Sequence, residues 1–152
     1  MKMMLGVMLL ACVPVAVAEI HYSYPTENLA DFVVEKLDVA SMPPAIRPKL
    51  ARGKTTFGDY GYTAQKVDEK EALLKAPEGS SQIAISILEA NQAGIYVCVN
   101  GQAKNQSGSR VQRVLLLKAK SADGVLKGRE ASKEFDGCPA IGSATTDSYS
   151  GD

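Results

Sequence analysis

Ser81-Gln-Ile-Ala-Ile-Ser-Ile-Leu-Glu89, then Ala90-Asn-Gln-Ala-Gly94, then Ile95-Tyr-Val-Cys-Val99, carries the strongest structural signal in the chain. Ile83, Ile85 and Ile87 alternate with smaller or more polar neighbours, and Ile95, Val97 and Val99 repeat the pattern. A period of two in β-branched residues marks strands with one buried face. Asn91 and Gly94 in the gap suit a short hairpin loop. The stretch predicts two antiparallel strands. Side chains alternate along a strand, so Cys98 is expected on the face opposite Val97 and Val99.

Downstream, Asn100-Gly101 has the look of a tight turn, but Gln102 to Ser109 lacks apolar alternation and reads as a long polar loop. Arg110 to Lys120 reads as a long strand, with Val111, Leu115 and Leu117 on one face and Val114 and Leu116 on the other. Apolar residues on both faces predict a strand covered twice, with the helix as one cover. Ser121-Ala-Asp-Gly124 is a turn signal. Val125 to Phe135 is expected to return as a charged edge strand.

Upstream, Thr26 offers a helix N-cap. Leu29, Phe32, Val33 and Leu37 then share one helical face, which predicts an amphipathic helix over Glu27 to Asp38 packed on the sheet. Met42-Pro43-Pro44 breaks the helical pattern. Phe57 is expected in the core, Gly58 and Gly61 imply a bend, and Tyr62 to Val67 and Glu71 to Ala76 read as strands around a turn at Asp68-Glu-Lys70. Glu71-Ala-Leu-Leu-Lys75 also contains good helix formers. The fold class read from all this is α+β: one N-terminal amphipathic helix on a mainly antiparallel sheet of five to six strands.

At 152 residues the chain fits one domain. Its 17 basic and 17 acidic residues balance, which argues against nucleic acid as the main partner. Lys2 followed by the apolar run Met3 to Val13 and the small residues Ala16-Val17-Ala18 has the form of a secretory signal peptide, with cleavage expected between Ala18 and Glu19. That run is too short to span a bilayer, and no later stretch is long enough. Leu9-Leu10-Ala11-Cys12 supports an alternative, a lipoprotein box with Cys12 lipidated. Cleavage after Ala18 leaves Cys98 and Cys138, an even pair in an exported chain and so an expected disulfide. The expected organisation is a signal peptide over 1–18, one domain over 19–139, and a Gly/Ser/Thr/Asp tail over 140–152 that has little to bury.

The helix segment Glu27 to Asp38, the stretch Lys54-Thr-Thr-Phe57, the Val97-Cys98 strand and the terminal Phe135-Asp-Gly-Cys138 together resemble a group of small exported Gram-negative proteins of uncharacterised activity. The resemblance spans most of the chain after the leader. It implies an envelope setting, periplasmic or secreted, and no activity.

Motifs for chemistry are sparse. His21 is the sole histidine, and it stands three residues past the expected cut, so any Ser-His-Asp or Cys-His site would depend on it. Neither zinc spacing, a phosphate-binding glycine loop, Ser-x-x-Lys nor a calcium loop is present, and no cofactor is expected. Asn105-Gln-Ser107 fits the N-glycosylation pattern, which matters only in a eukaryotic secretory pathway. Asp59, between Gly58 and Tyr60, reads as a turn aspartate or as part of a polar site. Arg47, Lys49, Arg52 and Lys54 form the most concentrated run of like charge in the chain and suit an anionic envelope surface. With Asp59, Tyr60 and Tyr62 they make the expected binding region, and the polar loop Gln102 to Ser109 is a second expected contact. The reading is a binding or accessory protein for an envelope or secreted partner. The alternative is a cell-wall hydrolase working with two carboxylates.

Overall fold

The structure, a computed structural model, describes residues 24–102, 109–121 and 124–138. The isoleucine hairpin forms as its alternation predicts. Strands β3 (Gln82–Asn91) and β4 (Gly94–Gln102) pair antiparallel, with Ile85 opposite Val99 and Ile87 opposite Val97. Ile83, Ile85, Ile95, Val97 and Val99 are buried in one core, while Cys98 is buried in a separate cluster on the other face. The ladder slips between Ile87 and Glu89, so Leu88 bulges and packs with the Cys98 cluster. Asn100 and Gly101 are strand residues rather than a turn, facing Gln112 and Val111.

Four more strands widen the hairpin: β1 (Thr63–Lys66), β2 (Glu71–Lys75), β5 (Arg110–Ala119) and β6 (Leu126–Glu130). They lie in sequence order, β1 to β6, every neighbour antiparallel. In β2 the buried Ala72 and Leu74 alternate with half-buried Glu71 and Leu73. The period-two burial on offer there outweighs the segment's intrinsic helix preference.

The helix α1 covers Leu29–Lys36, shorter at both ends than the expected Glu27 to Asp38, and irregular chain from 24 to 28 precedes it. Thr26 is not its cap. Asn28 holds that place in the left-handed region (φ 52°), with no capping bond from its side chain; its Oδ1 instead accepts from Lys66 Nζ. At the other end Leu37 turns extended and bridges to Leu126, and Asp38 bridges to Thr56. Leu37 is thereby fully buried in the core, so tertiary packing overrides the helical period at that point.

Behind α1 the chain from 37 to 62 crosses the same sheet face with a 3-10 turn at Val39–Ser41 and another at Gly58–Tyr60. Val39, Met42, Ile46, Phe57 and Tyr62 bury with Val33, Ile85 and Leu117. Tyr62 precedes β1 rather than beginning it.

The opposite sheet face has its own small cover. β6 stops at Glu130, and 131–138 leaves the ladder instead of continuing as strand to Phe135. This strap packs Ala131, Phe135 and Cys138 against Leu88, Tyr96, Cys98 and Val114, and the Cys98–Cys138 disulfide ties it down. The second apolar face of β5 is therefore covered by this strap, not by the helix. Cys98 lies two strands inward of β6, so the strap must cross the outer face of β5 to reach it. Residues 1–23, with Cys12, the Ala18–Glu19 junction and His21, residues 103–108 with Asn105, and residues 139–152 lie outside the described residues. No helix among the described residues is long and apolar enough to cross a membrane.

Candidate functional site

The basic segment is pinned at both ends. Arg47 Nη1 donates to the Ala40 carbonyl at 2.8 Å and to that of Met42 at 3.4 Å, which ties the start of the segment to the turn at Val39–Ser41. Pro48 is buried. The Ala51 N–H donates to the Tyr60 hydroxyl at 2.9 Å, and Lys54 Nζ sits 5.4 Å from the centre of the Tyr60 ring. Asp59 Oδ2 accepts from the Thr55 and Thr56 N–H groups, each at 2.8 Å, and from Thr56 Oγ1 at 3.2 Å. These bonds fix the chain where it rejoins the core at Phe57. Between the anchors Lys49, Leu50, Arg52 and Lys54 are exposed, and Lys49 and Arg52 make no ion pair or hydrogen bond among the described residues.

The expected binding region thus separates by role. Lys49, Arg52 and Lys54 face solvent. Arg47 and Tyr60 shape the segment, and Asp59 is a turn aspartate serving local backbone. Tyr62 does not belong to a surface at all. It is buried edge-to-face on Phe57, ring centres 5.1 Å apart, and its hydroxyl has no partner among the described residues. A tyrosine in an aromatic-rich turn gives no local sign of which way it points, and here the core claimed it.

The two bonds from the Thr56 and Thr55 amides hold the Asp59 carboxyl below its ordinary value of 3.8. A lowered folded value means that this carboxylate supports the turn above the unfolded value, and the support is lost as pH falls through the folded one. In an acid titration followed by NMR, the Thr55 and Thr56 amide shifts should therefore report a midpoint below 3.8. In Asp59→Asn that step should vanish. A midpoint at or above the ordinary value would mean the hydrogen bonds are not held in solution.

Two further arrangements had no signal in the sequence. An open groove of about 450 Å³ lies between 40–47 and the strands β5 and β6, with Arg47, Arg113 and Glu130 in its walls. Arg113 Nε pairs with Glu130 Oε1 at 3.1 Å, and its Nη1 donates to the Gln112 carbonyl at 2.8 Å. On the strap face, Lys133 Nζ lies 2.5 Å from Glu89 Oε2 and stacks near the Tyr96 and Phe135 rings, at 5.1 and 4.8 Å from their centres. Lys133, with help from the Asn91 amide, holds the Glu89 carboxyl below its ordinary value. Among the described residues, no group of three or more His, Cys, Asp or Glu side chains is arranged to hold a metal ion.

No family model matches the chain, and no curated protein or solved structure matches it either. The likeness to small exported Gram-negative proteins therefore rests on the sequence alone.

Proposed function

We propose that the protein is an exported, non-catalytic binding module that engages an anionic envelope surface, or an acidic partner protein, through the exposed cations Lys49, Arg52 and Lys54. Export rests on Lys2, the apolar run Met3 to Val13 and Ala16-Val17-Ala18. The observation that carries the reading is the segment itself: its ends are bonded to the core, Lys49, Arg52 and Lys54 between them are exposed, and Lys49 and Arg52 have no ion pair or hydrogen bond among the described residues. A pre-shaped charged loop loses little conformational freedom on contact. The two-carboxylate alternative finds less support, because the Arg113 groove contains a single carboxylate, already paired with Arg113.

The test is sedimentation of the mature protein with vesicles containing anionic phospholipid, alongside capture of partners from periplasmic extract. Reversing Lys49, Arg52 and Lys54 to Glu should weaken association by about a hundredfold or more, since losing the three cations alone costs roughly 1 kcal/mol each near an anionic surface. The circular dichroism spectrum should stay the same. Arg47 is left intact in this variant, since it holds the Ala40 and Met42 carbonyls. Undiminished association of the triple variant would refute the loop as the contact. Turnover of a cell-wall substrate by purified protein, lost when one carboxylate becomes its amide, would overturn the binding reading.

A further inference from the structure

The groove beside Arg47 has the make-up of a small-molecule site. Its 450 Å³ falls within the roughly 300–1,000 Å³ of such sites. Buried Met42 and Leu115 line it together with Pro43, Pro44 and Val111. Proline has no backbone N–H, so much of this wall offers a ligand no hydrogen-bond donor. An apolar ligand body is what such a wall accepts.

The charged groups are two guanidiniums against one carboxylate. Each guanidinium is held by part of its donor set. Arg47 uses Nη1 on the Ala40 and Met42 carbonyls, while Arg113 uses Nη1 on the Gln112 carbonyl and Nε on Glu130. Nε and Nη2 of Arg47 and Nη2 of Arg113 have no partner among the described residues. A guanidinium fixed by some of its donors presents the rest in a set direction, and planar guanidinium donors match carboxylate and phosphate oxygens. The geometry points to a binding groove for a small anionic amphiphile, an alkyl carboxylate or alkyl phosphate, with its headgroup on Arg47 and Arg113 and its chain along Pro43, Pro44 and Val111. This site is separate from the contact of Lys49, Arg52 and Lys54 with a surface, and the failure of either leaves the other standing.

The probes are decanoate, decyl phosphate and decanol, each below its aggregation threshold, titrated into the mature protein by calorimetry and amide NMR. Decanoate, decyl phosphate or both should bind at least about tenfold more tightly than decanol, since charge-assisted bonds form only with the anions. A preference for one anion identifies the headgroup. Ala45 is exposed in the groove wall, so Ala45→Trp should fill the groove, leave the melting temperature near that of the parent, and weaken every probe about tenfold or more. Arg113→Gln should weaken the anions and leave decanol unchanged. Decanol binding as tightly as decanoate and decyl phosphate, an Ala45→Trp protein that binds as before, or no binding by either anion would each overturn the assignment.

Discussion

Replacing Cys98 or Cys138 with serine should lower the melting temperature by roughly 15 °C. The bond spans 40 residues, and closing a loop of that length in the unfolded chain is worth up to about 4 kcal/mol on the loop-entropy view. The folded side adds to the loss. Without the bond, strap 131–138 is held over Tyr96 and Val114 by ring contact with Phe135, the Lys133–Glu89 pair and the Ala131 N–H bond to the Val114 carbonyl. Partial release of the strap should expose Leu88, Tyr96 and Val114, so the variant should bind a hydrophobic dye that the parent does not. Chemical reduction of the parent should reproduce both effects, which separates loss of the bond from the burial of a serine hydroxyl. If both thiols of the native, untreated protein react with a maleimide, the account is wrong.

The second large effect is expected at Gly94, where β4 begins. Its φ of 138° lies where L side chains rarely go, and an added Cβ would stand 2.3 Å from the Leu117 carbonyl oxygen and 3.0 Å from Leu116 Cδ1. The carbonyl belongs to the β5 backbone and cannot step aside as a flexible side chain would. Gly94→Ala should cost about 3–5 kcal/mol, from backbone strain plus overpacking. Gly79 separates the two contributions. It also has positive φ, 70°, but nothing lies within 4 Å of its added Cβ. Gly79→Ala should cost only about 1 kcal/mol. Urea unfolding of the two variants decides the point: equal losses would mean that the close approach of β4 to β5 contributes nothing.

What the sequence made legible was local. The alternation of Ile83, Ile85, Ile87, Ile95, Val97 and Val99 gave the hairpin, its buried face and the outward Cys98, because a period of two needs no knowledge of what covers the sheet. The disulfide followed from an even cysteine count once a leader was inferred. Where a distant segment intervened, the reading slipped. Leu37 continues a helical stripe in sequence, yet it is drawn out to bridge Leu126, far along the chain. The charged run after Glu130 looks like more edge strand, but Cys138 has to reach β4. In the binding region, the charge of 47–54 was plain. The inward turn of Tyr62 and the structural use of Arg47 were not, because both depend on packing partners that leave no trace in neighbouring residues. The Arg113 groove is built from segments more than sixty residues apart, and no local pattern announces it.

The two borders of the sheet are unlike each other. Along β6, Asp38 N–H donates to the Leu126 carbonyl at 2.8 Å and Gly128 N–H to Ser41 Oγ at 2.7 Å, so chain 37–41 occupies that border. Along β1, no strand among the described residues pairs on the far side of Thr63–Lys66. Open-ended stacking of molecules strand to strand requires two vacant borders, one to receive and one to offer. A molecule with one can join only a single neighbour through it, and doing so consumes the vacancy of both. Among the described residues, self-association by this route ends at a pair.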